Sequence, residues 1–183
     1  MKKVELREKI LKLLRKQKER DRILKSRVIQ KKLFATPEFQ SAKIILFYAS
    51  FGGEVMTFEM IKQAIQLKKK AVLPIVVRDS KKLIPALIKD LEHLHIGPYG
   101  IKQPHHEQAR VLKAEDLDLV IVPGLAFDRQ NYRLGRGAGY YDRFLKDLPL
   151  DIPTIGLAFD FQLMDHLPHP EAHDIPVTRM ITN

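Results

Sequence analysis

The sequence predicts an α/β fold, with a mostly parallel sheet flanked by helices and a pair of helices leading in at the N-terminus. Three observations carry this. Ile44–Ala49, Ala71–Val77, Leu119–Val122 and Thr154–Phe159 are short, nearly all-apolar runs, the pattern of strands buried on both faces. Segments with helical character separate several of them, and alternating strands and helices argue for parallel strands joined by right-handed crossovers. The chain has 183 residues, 45% hydrophobic and 30% charged, with no internal repeat or low-complexity tract, so residues 1–183 read as one domain.

Composition narrows the partners. No apolar run is long enough to span a bilayer. The N-terminus is basic and amphipathic, without the apolar core and small-residue site of a signal peptide. There is no cysteine, hence no disulfide, thiol chemistry or cysteine metal site, and a cytoplasmic location is expected. A net charge of +10 calls for an anionic partner, and nucleic acid, nucleotide or a polycarboxylate would each qualify.

From the start, Lys2 to about Leu14 reads as an amphipathic helix with Leu6, Ile10, Leu13 and Leu14 inward. Arg15–Arg22 has no apolar residue and reads as a solvated segment or bend. A second helix is expected over Arg22–Phe34, with Ile23, Leu24, Val28 and Leu33 inward, ended by Thr36-Pro37. Its basic face, like that of the first helix, is most simply solvated.

The Ile44–Ala49 strand runs into Ser50-Phe51-Gly52-Gly53-Glu54, a loop at its carboxyl end, where ligands bind in open α/β sheets. Taken alone, Glu54 is as readily an exposed loop carboxylate. Thr57 is placed to cap a helix from Phe58 to about Lys69. Pro74 in the next strand and Pro85 in its hairpin partner, Lys82–Ile88, both suggest sheet edges or a bulge. Leu91–Gln108 is poorly patterned. Its His93, His95, His105 and His106 read as exposed histidines, since no acidic partner is spaced to complete a metal site. A helix is expected at Tyr140–Lys146, a short one at Phe161–Leu167, and a last strand at Val177–Ile181. Pro168 and Pro170 break any helical triad of His166, His169 and His173.

The densest chemistry follows the strand at Leu119–Val122. Arg133, Leu134, Gly135, Arg136, Gly137, Ala138 and Gly139 lead into Tyr140, Tyr141 and Asp142. Glycines allow close backbone approach, and arginines add fixed charge and forked donors, so this has the composition of a phosphate cradle. A tight structural turn has similar composition. No Gly-Lys-Ser/Thr follows, and Gly-x-Gly-x-Gly is not the dinucleotide fingerprint. Asp142 by itself is an ordinary first-turn carboxylate balancing a helix dipole.

The run Pro123-Gly124-Leu-Ala-Phe127-Asp128, followed by Arg133-Leu-Gly-Arg-Gly-Ala-Gly-Tyr-Tyr-Asp142, resembles the signature of the 5-formyltetrahydrofolate cyclo-ligase family. The basic N-terminal helix, the Ser50–Glu54 loop and Asp174 extend the resemblance over nearly the whole chain. Two positions depart: Ala138 stands where many members have Lys or Gly, and Asn131 where a Gly is common. Asn tolerates the left-handed region, and Ala138 voids any role for a lysine there.

The resemblance implies a three-layer, Rossmann-like fold and an ATP- and Mg2+-dependent closure of 5-formyltetrahydrofolate to 5,10-methenyltetrahydrofolate. It implies ATP contacts from Lys3, Arg7 and Arg133 through Tyr141, that is Arg133, Leu134, Gly135, Arg136, Gly137, Ala138, Gly139, Tyr140 and Tyr141. Arg133 and Arg136 would be the catalytic pair. Folate would meet Ala49, Glu54 and Tyr140, and magnesium would meet Asp142 and Asp174. Gly97–Pro104 resembles a loop bordering the substrate cleft, where Tyr99 either stacks on a flat ring or packs. The expected partners are ATP and the folate, with a polyglutamate tail suited to the basic surface. Nucleic acid, membrane and a second subunit are not expected. Two rival readings are a nucleic-acid-binding protein using the N-terminal helices, and another phosphate-handling enzyme such as a sugar-phosphate isomerase.

Overall fold

The structure, a computed structural model, describes residues 2–168 and 174–183; His169 and His173 lie outside these. In order the elements are α1 (Lys3–Lys16), α2 (Glu19–Phe34), α3 (Pro37–Ser41), β1 (Ile44–Leu46), α4 (Phe58–Gln66), β2 (Lys70–Val77), β3 (Lys82–Ile88), β4 (Leu94–Ile96), β5 (Lys102–Pro104), β6 (Arg110–Val111), β7 (Leu119–Val122), β8 (Ala126–Asp128), β9 (Arg133–Leu134), α5 (Tyr140–Lys146), β10 (Thr154–Ala158), β11 (Leu163–Met164) and β12 (Arg179–Thr182). Among the described residues no helix is long and apolar enough to cross a membrane.

Seven strands form the central sheet in the order β12-β10-β7-β1-β2-β3-β6. The first five are parallel, and β3 and β6 add an antiparallel margin. Strand alternation assigns the layers. On β7, Leu119 and Ile121 join a core with Leu6, Ile10 and Leu14 of α1 and Met60 and Ile61 of α4. Val120 and Val122 turn the other way, into a core with Phe144 and Leu145 of α5. The result is three layers, as expected. The strand order reverses between β1 and β7. From β1 the sheet grows toward β2, and from β7 toward β10, so the loops leaving these neighbours diverge and open a crevice.

Several local expectations are corrected. The break between the first two helices is only Gln17 and Lys18, both with extended backbone. On α2 the buried residues are Ser26, Ile29 and Leu33, while Leu24 and Val28 face solvent. The cause is Ser26, whose hydroxyl accepts the Met56 N–H at 3.1 Å and so turns a polar residue inward. On α1, Leu13 lies at the margin of the buried stripe rather than within it. The α4 helix stops at Gln66, because Lys68 takes a left-handed φ of 62° on the way into β2. The segment expected as a helix at Phe161–Leu167 is a single 3-10 turn followed by β11, which pairs with β8. Gln162 diverts it, since its amide donates to the Gly124 and Leu125 carbonyls at 3.0 Å each.

Pro74 sits well inside the sheet, on a strand flanked by β1 and β3. It faces Pro85 directly. The Pro85 carbonyl accepts from Leu112, on the side away from β2. In an antiparallel pair a residue's N and O point the same way, so Pro74 and Pro85 form a non-hydrogen-bonded pair with their nitrogens turned outward. The pairing of β1 with β2 ends at Leu46 and Val72, so the Pro74 nitrogen faces no ladder. Two residues on, the Val76 N–H on that side meets the buried Gln103 side chain at 3.0 Å.

Candidate active site

The loop leaving β1 is tied at its base. The Ser50 and Thr57 hydroxyls each accept the other residue's N–H, at 3.1 and 3.2 Å, and the Thr57 hydroxyl donates to the Tyr48 carbonyl at 2.6 Å. Thr57 thus holds the loop closed and makes no side-chain cap on α4. Gly53, at φ +90°, lies so close to the end of α1 that an added Cβ would fall 2.4 Å from the Leu14 carbonyl oxygen. This fixture turns Glu54 inward, where it is only 7% exposed.

The loop leaving β7 is shaped by Asp128. Its buried carboxylate accepts N–H groups from Gln130, Tyr132 and Leu167, closing the turn between β8 and β9. Asn131 adopts φ 66° in that turn, a left-handed conformation that Asn tolerates. The β9 strand then delivers Arg133, and the glycine loop crosses to α5 with Gly137 at φ 103° and Gly139 at φ 70°.

The two loops wall a cavity of about 370 Å3 at the carboxyl ends of β1 and β7. Of the residues singled out by sequence, Ala49, Glu54, Arg133, Gly135, Arg136, Ala138, Gly139, Tyr140, Tyr141 and Asp142 line it. Lys3, Arg7, Leu134, Gly137 and Asp174 lie outside its wall. The Leu134 side chain is in the core, and its carbonyl is taken by the Leu125 N–H. Arg7 approaches the glycine loop from behind, donating to the Gly135 carbonyl at 3.0 Å and passing beside Gly137. Lys3 meets Asp174 at 3.1 Å.

Two ion pairs organise the charge. Arg133, with its side chain 4% exposed, donates to Asp142 at 2.6 Å. Burial depresses its pKa, opposed first by the charge of Asp142. Arg136 donates through Nε and Nη2 to one oxygen of Glu54, at 3.2 and 2.8 Å. The other Glu54 oxygen accepts the Phe51 N–H at 3.2 Å. Burial raises the Glu54 pKa more than Arg136 and Phe51 lower it. The family resemblance assigns Arg136 and Glu54 to different ligands, and the fold places them in contact.

Two buried polar atoms of the wall, Arg133 Nε and the Tyr141 hydroxyl, have no hydrogen-bond partner among the described residues. Burial first, then the Glu54 charge, raises the Tyr141 pKa against the pull of Arg133, so the hydroxyl keeps its proton. Such orphaned donors suit a ligand rich in acceptor oxygens. At the mouth, Tyr99 and Tyr140 approach edge to face with hydroxyls 3.4 Å apart, and Arg78 lies over the Tyr99 ring. Tyr99 is 56% exposed at φ 61°, so it forms the rim and not the core. Tyr48 and Phe51 were missed by sequence reading, because aromatics at the end of an apolar strand look like core.

Among the described residues no cluster of three or more histidine or acidic side chains could hold a metal by itself. His93 pairs with Asp90, and His95 stacks on His105. A cage made wholly of side chains therefore does not fit. A magnesium ion carried by phosphates and water, met by one or two carboxylates, does. Asp142 lies on the wall, paired with Arg133, and Asp174 also acts on Arg133.

Comparison with known proteins follows the same lines. The sequence pattern of the 5-formyltetrahydrofolate cyclo-ligase family matches residues 1–183. The 5-formyltetrahydrofolate cyclo-ligase of Mus musculus is 30% identical over 185 residues, spanning 96% of this chain and 91% of that protein. The Escherichia coli (strain K12) protein of the same name is 31% identical over 160 residues, spanning 82% and 84%. The NMR structure of Aquifex aeolicus 5,10-methenyltetrahydrofolate synthetase superposes with a TM-score of 0.87 at 33% identity, over 100% of this chain and 90% of that one.

Proposed function

Since the chain belongs to the 5-formyltetrahydrofolate cyclo-ligase family, we propose that it closes 5-formyltetrahydrofolate to 5,10-methenyltetrahydrofolate at the expense of ATP, releasing ADP and phosphate. The observation that carries this reading is the meeting of Glu54 with Arg133, Arg136 and the glycine loop around one cavity. One wall offers a buried carboxylate for the amide and amino N–H groups of a pterin. The other offers fixed cations and backbone donors for phosphate.

The chemistry needs this division. A formamide oxygen is a poor leaving group. Transfer of the terminal phosphoryl group of ATP to that oxygen gives an iminium phosphate. The neighbouring aniline-type nitrogen attacks the activated carbon, loses its proton, and phosphate departs with the C–O bond. Arg133 and Arg136 would neutralise charge on the transferred group, and the buried Arg133 Nε would find its acceptor there. Glu54, Ala49 and Tyr140 would hold the folate so that nitrogen and carbon meet, the main determinant of cyclisation rate. Lys3 and Arg7 would act on the nucleotide from the far side of the loop. Asp142, with Asp174, would meet magnesium bound to the nucleotide; when bound, the ion screens phosphate charge.

We further propose a monomer, and a cytoplasmic location in keeping with a cysteine-free chain. The test of the reaction is near-ultraviolet absorbance of the methenyl product, with 5-formyltetrahydrofolate and Mg2+, with and without ATP. An ATP-dependent rise is expected. No rise with folded protein would return the cavity to some other phosphate ligand.

A further inference from the structure

Arg136 is held by more than its carboxylate. Its guanidinium lies over the Phe51 ring, 4.1 Å from the centroid. The Phe51 N–H donates to the Glu54 oxygen that Arg136 does not use. Beside them Gly52, at φ +59°, leaves only 3.2 Å between a notional Cβ and Arg136 Nη2. Ring, glycine and carboxylate form a receptacle for one guanidinium. We propose that Phe51 is the positioning residue of Arg136, presenting a flat surface that fixes the plane of the guanidinium between Glu54 and the glycine loop. The inference rests on the cyclo-ligase reading above.

The physical case is one of orientation. An arginine reaching across a cavity loses considerable rotamer freedom when it is fixed. A face-on aromatic ring attracts the cation and removes its tilt, while leaving rotation within the plane free. Turning in that plane lets the guanidinium exchange Glu54 for a phosphoryl oxygen without leaving the ring. An aliphatic side chain of similar bulk fills the space but does not select the plane.

The test compares Phe51→Leu, Phe51→Tyr, Arg136→Ala and the Phe51→Leu/Arg136→Ala double variant in the methenyl assay. Phe51→Leu is expected to lower kcat about tenfold, the scale of losing a partly desolvated cation–π contact, with both KM values within about twofold of the parent. Phe51→Tyr keeps the ring and should stay within about twofold. In the Arg136→Ala background, Phe51→Leu should cost nothing further. An independent readout is folate binding without ATP against pH. Glu54 is faced by Arg136, Tyr48 and Tyr141, and of these only Arg136 lowers its pKa. Loosening Arg136 should move the acid limb of binding to higher pH in Phe51→Leu and not in Phe51→Tyr.

Three results would overturn the proposal: a raised folate KM with kcat intact, which would put the ring against the folate; an additive loss in the double variant; or no effect at all. Should Phe51→Leu fail to fold, Phe51→Met carries the same expectations. Parent protein without ATP-dependent product removes the cyclo-ligase reading and this inference together. Active parent with an indifferent Phe51→Leu removes only the inference.

Discussion

Arg136 and Glu54 are the residues on which the site turns. Arg136→Ala should lower the rate of methenyl formation about 100-fold or more, the scale of losing a donor to developing anionic charge. Near-normal turnover would exclude Arg136 from the mechanism. Glu54 carries a pH dependence whose sign is fixed by its burial. Its native pKa is raised from the ordinary 4.5, so the folded protein holds the proton to higher pH than the unfolded chain. Its contribution to stability is therefore full below the ordinary value and is lost as pH rises through the raised one. Glu54→Gln should raise the unfolding midpoint near neutral pH, by a margin that closes in acid, while weakening folate binding. A midpoint that falls near neutral pH would contradict this. In the sequence, Glu54 and Arg136 stood out as charged residues in glycine-bearing loops. Their contact was not legible, because 82 residues separate them and only the strand order makes β1 and β7 neighbours.

Among the elements, the junction of α1 with the β1 loop sets the geometry of the cavity wall. Gly53→Ala would drive a Cβ into the Leu14 carbonyl at a left-handed φ, and should cost about 3 kcal/mol or more in urea unfolding. Gly100→Ala, at φ +74° with nothing within 4 Å of its notional Cβ, should cost about 1 kcal/mol. Equal losses would mean that backbone strain alone matters at Gly53. The long apolar strands, α1 and α5 were readable because burial on one or both faces leaves a periodic trace. The small strands β4, β5, β6, β8, β9 and β11 were not. Each has two or three residues, too few to show a period, and pairing partners supply their order. Pro74 misled for a related reason, since its tolerance depends on where β1 stops and on the proline opposite.

For the whole molecule, charge is the governing quantity. A net +10 should draw polyanionic substrates, so kcat/KM should fall several-fold as salt rises from about 50 to 300 mM, where the screening length shortens to well under 10 Å. A series of substrates carrying one to five glutamates should show KM falling with tail length at low salt. A flat series would mean that the basic surface takes no part in binding the tail. The mostly parallel sheet was expected from the alternation of elements, the three layers from the family resemblance, and a site at the carboxyl ends of the strands from the open α/β sheet; its place at the reversal of strand order was not. The placing of Lys3 beside Asp174 had no signal in spacing or pattern, since it joins residues 171 apart.

That last contact has a consequence in time. During synthesis at about 5–20 residues per second, Lys3 leaves the ribosome on the order of ten seconds before Asp174. By then the glycine loop, Glu54 and both arginines already exist. A nascent chain paused before its final strand thus owns the cavity wall but not the clasp that ties the first helix to the end of the chain.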